Sequence, residues 1–399
     1  MQQKRPHKPN YYLVLILMFI FGDVVCENYI FRSYNSFVPK IELCFFIGTL
    51  LLQALTSPVQ AAFSDLSCRK RSIIISLSTS LFSLLLLLLF NSKILAVLPL
   101  VVVLSFIKGA FGNTIPLSLA AIADTQDKNY RGSFGFTTLS YTLAFVLMIF
   151  TTLYLSDLIS NIIAALYYVI ILFFSIFSFI DIRDKNFHHN ADSEQTSVRE
   201  LLKKELALVG AELRKSSLQY GIIAFFLWEI SIYSVLLLYV DFNVEAFRFI
   251  AMTMMLGYAT GIFVLKIYKT TTDLNMCKFG YLLGSISLAP FYFHLFFSEA
   301  PRLTLLAVCY YFHSIGLAVL PPTLFAMLAK VAKPHEQGRI YGIIESVDTI
   351  AFLVSSLVVL ISSINDLPLT YIVSLSFLTI VFSWFPFKMY HKLRPKELV

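Results

Sequence analysis

Five ionisable residues sit where the chain is otherwise too apolar to hold them: Asp23, Glu27, Lys108, Glu229 and His313 each lie among Leu, Ile, Phe, Val and Ala. A charged group at bilayer depth costs at least about 2.5 to 3.5 kcal/mol on insertion scales, so each needs a partner, water or a ligand. Asp23 and Glu27 are four apart, on one face of a helix and one turn from each other. Two carboxylates so close in a low dielectric do not readily ionise together, so one can take up a proton while Lys108 neutralises the other. The bland alternative for the acids is a static ion pair between helices, and for His313 a satisfied core histidine. Lys108 and Glu229, at similar depth in the two halves, would also suit the opposite ends of a zwitterion. This is binding and proton-exchange chemistry. Catalytic and nucleotide signatures are absent: the chain has no His-Glu-x-x-His, no Gly-x-Ser-x-Gly and no Gly-x-x-x-x-Gly-Lys-[Ser/Thr].

The elements that must position these residues follow from hydropathy. With 58% apolar and 14% charged residues, the chain falls outside the range of soluble domains, and uncharged runs such as Ile73 to Phe90 approach bilayer thickness. Windows of about 20 residues predict an all-α integral membrane protein. The twelve transmembrane helices fall near 11–31, 41–63, 72–91, 95–121, 132–155, 158–181, 218–240, 246–266, 278–297, 303–328, 338–362 and 367–387. An even count puts both termini on one side. Of the 31 Lys and Arg residues, 25 fall on the segments that this topology makes cytoplasmic, so both termini are expected to be cytoplasmic. The net charge of +7 is then a basic rim facing anionic lipid rather than a nucleic-acid site.

The long polar interruption divides the chain into a six-helix bundle over 1–182, a cytoplasmic linker over 183–217 and a second six-helix bundle over 218–399. Within the linker, His188 and His189 lie in a solvated loop, whereas Val198, Leu202, Leu206, Val209 and Leu213 follow helical spacing among charges. That pattern predicts an amphipathic helix on the membrane surface. Five scattered cysteines form no CxxC or Cys/His cluster, so neither a metal nor a cofactor nor a disulfide is expected. No Asn-x-Ser/Thr sequon occurs, and a bacterial inner membrane is the simpler expectation for location.

The halves resemble each other. Pro116, Gly132, Gly135, Ala144 and Phe145 recur about 206 positions later as Pro322, Gly338, Gly342, Ala351 and Phe352. Duplicated hydrophobic chains are characteristic of secondary transporters, whose repeats rock around a central site. The run from Ser57 to Arg71 resembles the G-x-x-x-D-x-x-G-[RK]-[RK] signature of the major facilitator superfamily, with Asp65, Arg69 and Lys70 in the charged positions and Ala61 and Cys68 replacing the glycines. Asp273 and Lys278 stand where a second copy would fall. Gly109 to Pro116 followed by Tyr130-Arg131-Gly132, and Gly316 to Pro322 followed by Gln337-Gly338, resemble the family's passages from helix 4 to 5 and from helix 10 to 11.

That resemblance implies a twelve-helix fold in two pseudo-symmetric bundles, with helices 1, 4, 7 and 10 lining a central cavity. It would place Asp23, Glu27, Lys108, Glu229 and His313 at a substrate and proton site. It also implies a conformational latch of Asp65, Arg69, Lys70, Arg131 and Gly338, because a carboxylate ending helix 2 can rest on the N-terminus of helix 11. The expected protein is a monomeric, lipid-embedded secondary transporter for a small polar organic solute, an amino acid or a carboxylated metabolite, coupled to protons. A drug or siderophore exporter of the same fold is the alternative, and a non-transporting membrane sensor the alternative of another class.

Overall fold

The computed structural model describes residues 11–35, 39–66, 68–91, 98–125, 130–155, 157–178, 207–208, 210–211, 216–237, 244–287, 299–331, 336–364 and 369–393. Among them there is no strand, and thirteen helices carry the chain: α1 (Tyr11–Asn35), α2 (Pro39–Leu66), α3 (Arg69–Asn91), α4 (Leu98–Phe111), α5 (Ile115–Thr125), α6 (Tyr130–Tyr154), α7 (Asp157–Ser178), α8 (Ser216–Leu237), α9 (Val244–Ile267), α10 (Asp273–Ile286), α11 (Glu299–Val331), α12 (Gln337–Ile364) and α13 (Leu369–Leu393). Each predicted window overlaps a helix, but the fourth is two. The helix stops at Phe111 and restarts at Ile115, where Gly112, Asn113 and Thr114 bring three poor helix formers in succession. Among the described residues, Phe106–Asp124, Thr304–Lys330 and Gln337–Val358 are long and apolar enough to cross a membrane. Of the expected linker helix, only 207–208 and 210–211 are described, and these are helical; His188 and His189 lie outside the described residues.

The exterior is apolar and the interior partly polar. Leu55, Leu256, Phe177 and Phe385 are well exposed, whereas Asp23, Asp65, Lys108 and Glu229 are buried. This inversion of a soluble protein suits lipid as solvent. Each half is held by its own contacts, including α1 on α6, α3 on α7, α9 on α11 and α8 on α13. Between the halves run contacts of α2 with α12, α5 with α12, and α6 with α9 and α11.

The α2–α12 seam shows why the helices can approach so closely. Gly338 and Gly342 are one turn apart on α12. A Cβ on Gly342 would lie 2.6 Å from Pro58 Cα and 2.7 Å from Ser57 O, and one on Gly338 would run into the Ala61 carbonyl. The obstacles are backbone, which cannot swing aside. Pro58, inside α2, has no N–H to offer the Ala54 carbonyl one turn back. Ser346 of α12 supplies the missing donor, its Oγ 2.6 Å from Ala54 O.

Candidate functional site

The break in the fourth window positions the first site residues. Its free backbone groups are satisfied by neighbouring helices, as a buried helix end requires. From α2, Thr56 Oγ1 donates to Gly109 O at 3.1 Å and Gln60 Nε2 to Phe111 O at 2.8 Å. Asp23 of α1 caps the restart: its Oδ2 accepts from Thr114 N at 2.6 Å and Ile115 N at 3.2 Å. Its Oδ1 accepts from Lys108 Nζ at 2.7 Å, and the same ammonium donates to Gly112 O at 2.6 Å. Lys108 can fold back on its own helix end because residue 112 has no Cβ, which would overlap the lysine stem.

Both partners are inaccessible, Asp23 at 0% and Lys108 at 3% exposure. A pair so buried is held by geometry: removing one member leaves the other charge stranded at a cost of about 3–5 kcal/mol. Asp23 therefore ties α1 to both sides of the break. This corrects the expectation that Lys108 stands opposite Glu229, because the break turns its ammonium back toward α1. Glu27 lies one turn along α1, but its side chain is outside the described residues.

Glu229 occupies a different setting. It lies on α8, 5% exposed, and among the described residues it forms no hydrogen bond or ion pair. Asp348 of α12 is close enough to act on it electrostatically, as Glu229 in turn acts on Tyr258 of α9. Tyr233, one turn beyond Glu229, donates its hydroxyl to Asp348 Oδ1 at 2.9 Å and feels Glu345 as well. The ring of Phe352 closes against Tyr233 at 4.9 Å. The result is an acid pair, Glu229 and Asp348, with the Tyr233 and Tyr258 hydroxyls, and among the described residues no cation lies within ion-pair distance of either of these two acids. Two facing acids without a counter-cation can hold one proton or one positive group between them.

His313 stands apart from both. Its Nδ1 donates to Gly284 O of α10 at 3.0 Å, and its ring stacks on Trp228 at 6.3 Å. At 1% exposure it joins α8, α10 and α11 inside the C-terminal half.

The expected latch residues divide. Asp65, 1% exposed, accepts from Gly338 N and Arg339 N, both at 3.0 Å, at the start of α12. Those are the unpaired amides of a helix N-terminus, where a carboxylate is favoured. Arg69 bonds Asp65 at 2.8 Å, Asp124 at 2.6 Å and Ser64 Oγ at 2.8 Å. Burial pulls the Arg69 guanidinium down, but the Asp124 and Asp65 carboxylates beside it win and hold it above its ordinary value. It stays charged. Lys70 is not in this cluster: its Nζ donates to Ile176 O at 2.7 Å, near the C-terminal end of α7. One residue past Arg69 is about 100° around the helix, which aims it away.

Arg131 forms a second crossing. From the start of α6 it donates to Thr271 O, Tyr268 O and Lys269 O at 2.8–2.9 Å, carbonyls beyond α9, and meets Asp273 at 3.2 Å. Asp273 also takes Lys330 at 2.5 Å. Between the two crossings, Phe134, Phe325 and Tyr341 meet with ring centroids 5.6–5.9 Å apart. Tyr341 donates to Phe325 O at 3.0 Å, and the trio plugs this end of the seam.

The sequence therefore located Asp23, Lys108 and Glu229 at buried polar positions, while the structure joins only the first two. Asp348, Tyr233 and Tyr258 join Glu229 only through the structure. Asp124 and Asp273 were recognisable beside the loop motifs, but their cations were not.

The family model described as Major Facilitator Superfamily matches residues 13–293. None of the curated proteins compared matches the chain. Among solved structures, it is similar to the human organic anion transporter MFSD10 (TETRAN), at TM-score 0.73 and 16% identity over 96% of this chain and 100% of that one. It is also similar to a variant of the E. coli fucose:proton symporter FucP, at TM-score 0.66 and 13% identity over 97% and 99% of the two chains. A bacterial homologue of the iron transporter ferroportin in an outward-facing state aligns at TM-score 0.65 and 12% identity, over 95% and 98%. At such identities the likeness is one of fold.

Proposed function

The chain belongs to the major facilitator superfamily, and from that premise we propose that it is a secondary active transporter moving a small polar organic solute by alternating access, coupled to protons. The proposed frame is twelve spans in bundles 1–182 and 218–399, joined by the 183–217 linker, with both termini and the Asp65 end cytoplasmic. The observation that carries the reading is the seam between the halves at that end. It is closed by Asp65 on the α12 amides, by Arg131 on the carbonyls beyond α9 and by Phe134 against Phe325 and Tyr341, contacts that must part if the end opens. Polar contacts of this kind are reversible, as a rocking cycle requires.

Proton coupling is placed at Glu229 and Asp348 rather than at Asp23. The Asp23 carboxylate already accepts from Lys108 and two backbone amides, whereas Glu229 faces another acid without a cation. The Asp23–Lys108 pair then serves as a rigid joint within the first bundle. Among the substrates expected from sequence, an amino acid fits better than a simple carboxylate, since Lys108, the buried lysine among the described residues, is committed.

The test is reconstitution into proteoliposomes with an entrapped pH-sensitive dye, against a panel of amino acids, amines and carboxylates. One solute class is expected to drive proton flux, and Glu229→Gln to retain solute exchange while losing accumulation against a gradient. Solute movement indifferent to the proton gradient would remove the coupling, and absence of movement for every class would remove the transporter reading.

A further inference from the structure

We propose that Glu229 and Asp348, with the Tyr233 and Tyr258 hydroxyls, are the recognition point for a protonated amine on the solute. The inference rests on the transport reading above and names the chemistry of its site. Glu229 is the first observation: a carboxylate of α8, which packs on α12, nineteen-twentieths buried and with no donor among the described residues. A buried anion left so is costly unless a positive group or a proton meets it. Asp348 is the second. It comes from the facing helix and is already aligned by Tyr233, which donates to one of its oxygens at 2.9 Å. A primary ammonium carries three N–H donors and no acceptor, so it can bridge two carboxylates that repel one another.

The surroundings discriminate among cations. A metal ion would need several ligating groups gathered closely, and among the described residues no three His, Cys, Asp or Glu side chains come together in that way. The wall is instead aromatic, with Tyr233 against Phe352 at 4.9 Å and Tyr258 across α9, as suits an organic cation. An organic anion meets the opposite case. Lys108 is held by Asp23 and the Gly112 carbonyl, so a carboxylate arriving beside Glu229 would be repelled by Glu229 and Asp348.

Three probes of matched size, phenethylamine, 2-phenylethanol and phenylacetate, separate the possibilities when the purified full-length protein is followed by thermal unfolding. Binding to the folded state raises its apparent stability. Phenethylamine should raise Tm at concentrations where the alcohol and the acid do not. Glu229→Gln should lower the apparent amine affinity about tenfold or more, the scale of losing one close charge pair. Asp348→Asn, which retains the hydrogen bond from Tyr233, provides an independent variant and should also weaken amine binding. Equal stabilisation by phenylacetate, no amine-selective shift, or unchanged amine affinity in both variants would overturn the assignment. A protein that binds the amine without moving it keeps this inference and loses the transport reading; one that transports and prefers the acid does the reverse.

Discussion

Replacing Asp65 by asparagine tests the seam with the smallest change in shape. In the closed state the carboxylate accepts two amide hydrogen bonds from the start of α12, both at 3.0 Å, and these exist only while the halves meet at this end. Its bond to Arg69 is internal to one half and survives opening. Hydrogen bonds to a charged group contribute about 1.5–3 kcal/mol each. An asparagine keeps one acceptor oxygen but turns an NH₂ toward the second amide, and it removes the charge that the helix dipole favours. The closed state should therefore lose about 2–3 kcal/mol relative to the open one, a shift of about 30- to 150-fold in their ratio. Arg69 retains Asp124 and Ser64, so the fold should hold. Spin labels at Arg71 and Lys269, both exposed beside the two crossings, would report it in a background lacking Cys44 and Cys68. The interlabel distance should gain a longer population in Asp65→Asn. Superposable distance distributions for parent and variant would refute the latch, whatever the transport rate.

Gly342→Ala places a Cβ 2.6 Å from Pro58 Cα. It should cost the closed state about 1–3 kcal/mol through overpacking and lengthen the same interlabel distance. Asp23→Ala strands Lys108 together with the Thr114 amide ahead of α5, while Ile115 N keeps Asn113 Oδ1, so it should lower Tm more than Lys108→Met, which leaves Asp23 its two backbone donors. The double variant Asp23→Asn with Lys108→Met should recover part of that loss, and a strictly additive double variant would mean the pair does not act as one unit. Arg131→Met removes the donor from three carbonyls beyond α9, of which Tyr268 O keeps the Thr271 amide, and should destabilise closure at that crossing. Labels that stay at the parental distance would make Arg131 a local cap only.

How far the sequence could be read depended on the separation of the partners. The helices were legible from apolar runs, and the contact of Asp65 with the start of α12 could be anticipated because a recognisable motif and a duplicated Gly338 marked its two ends. Lys108 was identifiable as a buried cation neutralising one of the two acids of the first helix, and it does pair with Asp23, but the way its ammonium turns was not legible. Its direction depends on a three-residue break whose restart is capped by Asp23, 91 residues away from Thr114. Hydropathy registers Gly112-Asn113-Thr114 as a slight dip inside one window. Tyr233 and Asp348 are 115 positions apart, and neither residue alone signals that an acid pair forms between α8 and α12. Lys70 misled for a simpler reason: adjacent basic residues in a loop motif look equivalent, but on the first turn of α3 they face different neighbours.

The hydrogen bond from Ser346 to Ala54 O has a consequence for solvent. While the seam is shut, one half of the molecule supplies the donor that a proline denies to the other half. Parting the seam leaves that carbonyl bare at a depth where lipid offers no donor, at a cost of about 1–3 kcal/mol if nothing replaces Ser346. If the Asp65 end opens as proposed, a dry separation of the two faces is disfavoured, and water reaching Ala54 would replace the lost donor. The proline turn of α2 would thereby favour a hydrated vestibule at least that deep.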